Sequence, residues 1–345
     1  MAMNAFKSVA RMATTGTECI DNTVFQLHYK ATFVGITGVA LIVAYAHIFG
    51  AKIYCHGDNH LPSDIVKSFC WQRTEFSFPK PVIHAHNETA HDYDNSKYNS
   101  YFKWIYPMLF FQAIWFYIPR YLWIILEGDL CGKLISGLGN TFANDADKKI
   151  KIRQSVEYIR ANAGKVNLYL VCYVICEILN LINVAIQLYL TDKFMGRVGF
   201  KMVEFTMMNQ DSRTDPMIAV FPRLIRCLFP KFANNGSVTT YDFMCVLPFN
   251  SINEKIYIVL WFWLIILTTI SGINIIYRLL TIKYPLIRAL IIRLRVGYNE
   301  YLCLKQVLQF ATIGDWFVLY QLSKNIDYQD FKFMMDEVSQ RISRI

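Results

Sequence analysis

The chain has 345 residues, of which 54% are hydrophobic and 18% charged, with a formal net charge of +9. Soluble domains carry roughly 25% charged residues, so this balance excludes an ordinary soluble protein and points to one embedded in a membrane. No nucleic-acid motif accompanies the positive excess, which instead suits the cytoplasmic flanks of membrane spans.

Residues 1–30 hold no apolar run of signal-peptide type and carry Lys7, Arg11, Glu18 and Asp21, so the first span is expected to act as an uncleaved anchor. That span is 31–50, uncharged, with His47 near its end. A bilayer core of about 30 Å needs roughly 20 apolar residues in helix, and three later stretches also qualify. They are 104–126, interrupted by Pro107, Pro119 and Arg120; 168–190, carrying Glu177, Asn180, Asn183 and Gln187; and 256–277, uncharged. An apolar patch at 310–322 is too short and contains Asp315, so it reads as a buried helix of a cytoplasmic domain.

Four spans put both termini on one side. Arg278, Lys283, Arg288, Arg293 and Arg295 crowd the exit of the last span, which places that side in the cytoplasm. The Asn-x-Ser/Thr sites, Asn87 and Asn235, fall one in each of the two remaining loops, and glycan acceptors must face the lumen. The expected order is a cytoplasmic segment 1–30, a span 31–50, an outer loop 51–103, a span 104–126 and a cytoplasmic loop 127–167. A span 168–190, an outer loop 191–255, a span 256–277 and a cytoplasmic carboxy-terminal domain 278–345 complete it.

Each outer loop contains two cysteines, Cys55 with Cys70 and Cys227 with Cys245. On an oxidising face these form two bridges, with three pairings open to sequence. Cys19, Cys131, Cys172, Cys176 and Cys303 lie in spans or cytoplasmic segments and are expected to stay free.

Glu177, Asn180, Val184 and Gln187 share one face of the third span at spacings of three and four, with Asn183 beside them. An intramembrane carboxylate must face protein or water, so the face either lines a hydrated path or holds helices together. Pro119 predicts a kink in the second span, and Arg120 beside it is expected to snorkel to the interface. Five of the seven histidines lie in the first outer loop: His56, His60, His84, His86 and His91. Two of their spacings resemble metal-ligand pairs, but loop histidines are usually solvated and the nearby cysteines are bridged, so no metal is expected. The sequence holds no Walker, G-x-S-x-G or H-E-x-x-H motif. Neither an enzyme nor a cofactor is expected.

The residues resemble the innexins, the invertebrate gap-junction and hemichannel proteins, over nearly the whole chain. The resemblance is carried by Cys19-Ile20-Asp21-Asn22, His28-Tyr29-Lys30-Ala31-Thr32, Cys70-Trp71 and Phe116-Tyr117-Ile118-Pro119-Arg120-Tyr121-Leu122-Trp123. Asp215-Pro216-Met217, Cys245-Val246-Leu247-Pro248, Asn253-Glu254-Lys255-Ile256-Tyr257, Leu260-Trp261-Phe262-Trp263 and Ile313-Gly314-Asp315-Trp316-Phe317 extend it. The innexin Tyr-Tyr-Gln-Trp signature reads Tyr101-Phe102-Lys103-Trp104, and Lys103 adds a positive charge at the mouth of the second span.

The resemblance implies an all-α membrane protein of four transmembrane helices, disulfide-linked extracellular loops and a helical cytoplasmic domain, assembled as a ring-forming large-pore channel. It implies bridges Cys55–Cys245 and Cys70–Cys227. It also implies a pore lined partly by the amino-terminal segment, through Ala2, Met3, Asn4, Lys7 and Arg11. The implied partners are other innexin subunits in a homo- or hetero-oligomer, a docked hemichannel of a neighbouring cell, and the lipid of the plasma membrane. An undocked, pannexin-like hemichannel with glycosylated loops, and a four-span adhesion protein, are the competing readings. The short tail after Asp327 predicts few regulatory sites and suits an insect member or one of the innexin-like genes of insect-associated viruses.

Overall fold

A computed structural model describes residues 20–50, 52–57, 62–72, 75–76, 98–99, 101–135, 145–162, 166–195, 199, 220–232, 236–296 and 311–342. Among these, four helices are long and apolar enough to cross a membrane: α1 (Thr23–Phe49), α3 (Ile105–Glu127), α6 (Asn167–Phe194) and α7 (Asn250–Lys283). In chain order, β1 (Tyr54–His56), α2 (Ser63–Gln72), β2 (Glu75–Phe76) and β3 (Tyr98–Asn99) follow α1. Two short helices, α4 (Leu130–Ile135) and α5 (Asp145–Ala161), separate α3 from α6. A hairpin of β4 (Leu224–Phe232) and β5 (Val238–Val246) precedes α7, and α8 (Pro285–Val296), α9 (Ile313–Leu322) and α10 (Tyr328–Ile342) follow it.

The chain forms two compact units, and each long helix contributes residues to both. The first unit holds residues 35–112 and 186–265 among its parts. It contains a three-stranded antiparallel sheet in the order β1-β5-β4, an addition to a protein that is otherwise mostly helical. Register fixes the sheet's chemistry: Cys55 stands opposite Cys245, and Ile225 opposite Cys245 on the other side. Helix α2 packs on β4, where Phe69 meets Phe229 edge-on at 5.0 Å between ring centroids.

The second unit, residues 8–34, 113–185 and 266–345, contains the main hydrophobic core. Trp123, Tyr173, Phe317, Phe331 and Met335 are almost wholly excluded from solvent there. The patch at 310–322 becomes helix α9, and Asp315 explains why a charge is tolerated. It completes a capping box, accepting from the Thr312 backbone N–H at 3.0 Å while its own N–H donates to Thr312 Oγ1 at 3.4 Å. Gly314 fits α9 against the start of α6. A Cβ at this position would stand 2.6 Å from the backbone of Val166 and Asn167.

Two details differ from expectation. Helix α1 begins at Thr23, well before residue 31, and takes a π-helical turn over Leu27–Thr32. Inside that turn Thr32 Oγ1 donates to the Leu27 carbonyl at 2.9 Å and His28 Nε2 meets Ser271 Oγ at 2.8 Å, while His28 Nδ1 is buried with no hydrogen-bond partner among the described residues. Arg120 does not snorkel. It is 7% exposed and paired with Asp21 at 2.8 Å, because a buried carboxylate supplies the counter-charge that water would otherwise provide.

Candidate functional site

The segment Ile20–Asn22 enters α1 through a knot of polar groups. Asn22 caps the helix, its Oδ1 accepting from the Phe25 N–H at 2.7 Å. Its Nδ2 donates to Glu177 Oε1 at 2.7 Å and to Asn274 Oδ1 at 3.0 Å, and its backbone N–H donates to the Tyr173 hydroxyl at 3.1 Å. Glu177 is gripped by Arg278 through two bonds of 2.8 Å, Nε to Oε2 and Nη2 to Oε1. Two parallel charge-assisted bonds fix orientation as well as distance. The Arg278 guanidinium lies over the rings of Tyr173 and Phe317, 5.1 and 5.4 Å from their centroids. Arg278 therefore serves Glu177 rather than the membrane flank to which its place in sequence assigned it.

The neighbouring residues are held as tightly. Asp21 accepts from Arg120, and from Gln26 Nε2 at 2.9 Å. The Ile20 carbonyl accepts from Trp123 Nε1 at 3.3 Å and from Gln321 Nε2 at 2.9 Å, and the Asp21 carbonyl accepts from Lys324 Nζ at 3.0 Å. Residues of α3, α6, α7 and α9 thus converge on three residues that precede the first span.

The polar face of α6 is buried: Glu177, Asn180, Asn183 and Gln187 are each less than a tenth exposed. Asn183 Nδ2 donates to the Trp115 carbonyl at 3.1 Å. Helix α3 runs unbroken across Pro119. Proline has no N–H to offer the carbonyl four residues earlier, and that carbonyl belongs to Trp115. The side-chain N and O of Asn180, and Oε1 of Gln187, are buried with no hydrogen-bond partner among the described residues.

In the first unit, Cys55 and Cys245 are joined at 2.00 Å and Cys70 and Cys227 at 1.96 Å. The Sγ atoms of Cys55, Cys70 and Cys245 all lie within 4.8 Å of one another, so the two bridges form a single covalent node. That grouping reflects bridged sulfurs and not a ligand set for metal. Beside the node, Trp71 has the ammonium groups of Lys52 and Lys103 at 6.0 and 5.6 Å from its ring and His47 at 5.3 Å. Burial there pushes the Lys103 ammonium pKa down, and the ring face offsets part of the lost hydration. Sequence reasoning assigned Lys103 to the mouth of the second span without finding Trp71, since nothing in spacing predicts a contact between loop segments.

Cys131, Cys172 and Cys176 are free thiols, and His56 lies on β1. Ala2, Met3, Asn4, Lys7, Arg11, Cys19, His60, His84, His86, Asn87, His91, Asn235 and Cys303 lie outside the described residues.

The innexin family model matches residues 21–342, nearly the whole of the chain with its four apolar helices and both bridges. The chain belongs to the innexin family. Innexin inx2 of Drosophila melanogaster is 37% identical over 99% of this chain and 96% of its own. Innexin inx2 of Schistocerca americana is 37% identical, covering 98% of each chain. Innexin shaking-B of Drosophila melanogaster is 32% identical over 99% of this chain and 95% of its own. The family match takes in the bridged segments, Asp21 and Asn22 of the knot, and α9 of this innexin.

Proposed function

We propose that this innexin is a subunit of a gap-junction channel in the plasma membrane. In this reading it rings with other innexin subunits and docks with a hemichannel of a neighbouring cell to pass ions and small metabolites. The supporting observation is the doubly bridged sheet that ties the segment after α1 to the segment before α7, in a chain matched end to end by innexins. A bridged, sheet-backed cap gives a docking face that does not have to be ordered on contact.

The same reading puts both termini in the cytoplasm and residues 51–103 and 191–255 outside. The amino-terminal residues Ala2, Met3, Asn4, Lys7 and Arg11 set the narrowest point, and Lys7 and Arg11 give it a mildly positive lining. Glu177 and Asn183, which bond across helices, serve as interhelical glue rather than as pore lining. No catalytic role or cofactor is assigned. Expression in paired oocytes tests the function: a junctional conductance supports it, while robust surface delivery with no junctional or membrane conductance would leave an adhesion role instead. Single-channel permeability strongly favouring cations would reject the positive lining.

A further inference from the structure

Helix α8 is built for a boundary. It starts one residue after α7 ends, with Tyr284 between Lys283 and Pro285, and proline suits a first helical position because its missing N–H has no partner to lose. One side of α8 is docked: Ile292 is fully buried in the second unit's core, and Trp316 Nε1 donates to the Arg288 carbonyl at 3.3 Å. The other side carries Leu286, Leu290 and Leu294, at spacings of four, with exposures of 77%, 51% and 75%. Three leucines in one exposed row need a cover.

Two observations name the cover. Helix α8 directly follows α7, on which Ile273, Ile276, Leu279 and Leu280 also stand exposed, so the row begins where the apolar cover of a span ends. The charges around it are all of one sign. Residues 283–296 hold Lys283, Arg288, Arg293 and Arg295 and no acidic residue, and the side chains of Lys283 and Arg293 are exposed. Leucine on one side and exposed cations flanking it are the features of a helix lying in a lipid interface.

We propose that α8 is an interfacial helix, its leucine row sunk among acyl chains where α7 leaves the bilayer, with Lys283 and Arg293 holding acidic phospholipid headgroups. On the topology proposed above this is the cytoplasmic leaflet, whose acidic lipids attract such residues. The helix then fixes the depth at which the tail domain, docked on its other side, rides against the membrane.

The test uses the full-length channel in nanodiscs of phosphatidylcholine and phosphatidylserine, with a photoreactive residue introduced as Leu290→benzoylphenylalanine. Ile273→benzoylphenylalanine, on the exposed side of α7, reports whether that span meets lipid at all, so failure of the membrane reading is told apart from failure of this one. Illumination is expected to attach phospholipid at position 290, with phosphatidylserine enriched about fivefold over its share of the bilayer for each basic contact. Arg293→Gln should remove one such factor while leaving lipid attachment intact. Attachment to another subunit would make the row a protein contact and overturn the proposal, as would no attachment at 290 when 273 labels. Lipid adducts without serine enrichment would overturn the acidic-headgroup assignment.

Discussion

The side-chain amide of Asn183 donates to the carbonyl of Trp115, the group that Pro119 leaves without a helical donor. A proline inside an apolar helix removes a hydrogen bond that lipid cannot replace, and here a neighbouring helix supplies it. Asn183→Leu should lower stability by about 1–3 kcal/mol, the cost of leaving a buried carbonyl unpaired. Pro119→Ala restores an N–H to that carbonyl, so the loss from Asn183→Leu should shrink in the Pro119→Ala background. Thermal unfolding of the solubilised protein measures all corners of the cycle. Equal losses in both backgrounds would reject the compensation.

Glu177 and Arg278 form a buried pair, so removing one partner strands the other. Arg278→Met or Glu177→Leu alone should destabilise by about 3–5 kcal/mol and cut surface delivery sharply. The double variant should recover a large share of the yield, because neither charge is left unpaired. Surface biotinylation reads the yield. If the double variant also lowered conductance per channel at matched delivery, the pair would act on the amino-terminal root through Asn22 as well as on folding.

Gly314→Ala places a methyl group 2.6 Å from the backbone of Val166 and Asn167 and should loosen the docking of α9. At Gly272 nothing stands within 4 Å, so Gly272→Ala should be neutral or stabilise by up to about 1 kcal/mol through helix propensity. Limited proteolysis of the segment after residue 296 distinguishes them: faster cleavage is expected in Gly314→Ala alone.

The covalent node predicts unequal cysteine variants. Cys227→Ser leaves Cys70 as a buried thiol whose Sγ lies within 4.8 Å of both sulfurs of the intact Cys55–Cys245 bridge, within reach of disulfide exchange. It should give scrambled species on non-reducing peptide mapping, whereas Cys70→Ser with Cys227→Ser should give one clean bridge, Cys55–Cys245, and a protein less stable by about 2–5 kcal/mol. A homogeneous single variant would argue against exchange within the node.

If glycans at Asn87 and Asn235 obstruct docking, Asn87→Gln with Asn235→Gln should raise dye transfer between paired cells. Mass shift on deglycosylation establishes occupancy first, and unchanged transfer from occupied sites would dispose of the obstruction.

The long helices were legible because burial in lipid demands uninterrupted apolar length, and little else produces it. Their ends were not. Residues 250–255 and 278–283 are polar enough to look like loop, yet α7 runs over Asn250–Lys283, since helical hydrogen bonding continues past the apolar core. The sheet was hidden for a different reason: β1 is three residues long and meets its partner across most of the chain, so no local pattern announces it. Glu177 and Arg278 were each visible as intramembrane or flanking charges. Their pairing was not, because the apolar lengths put Glu177 well inside the third span and Arg278 just past the end of the fourth, at different depths. Asn22 and Trp71 gave no signal beyond the family motif, because capping and ring contacts depend on partners that only the fold supplies.

Cys55 and Cys245 are 190 residues apart in sequence, and Cys70 and Cys227 are 157 apart. Neither bridge can close until the β4–β5 hairpin has been synthesised. For the whole interval in which two further spans are inserted, Cys55 and Cys70 have only each other for company, and a bridge between them would be a dead end to be undone. Closure of the native bridges is therefore a late event in biogenesis, one that waits on the hairpin before α7.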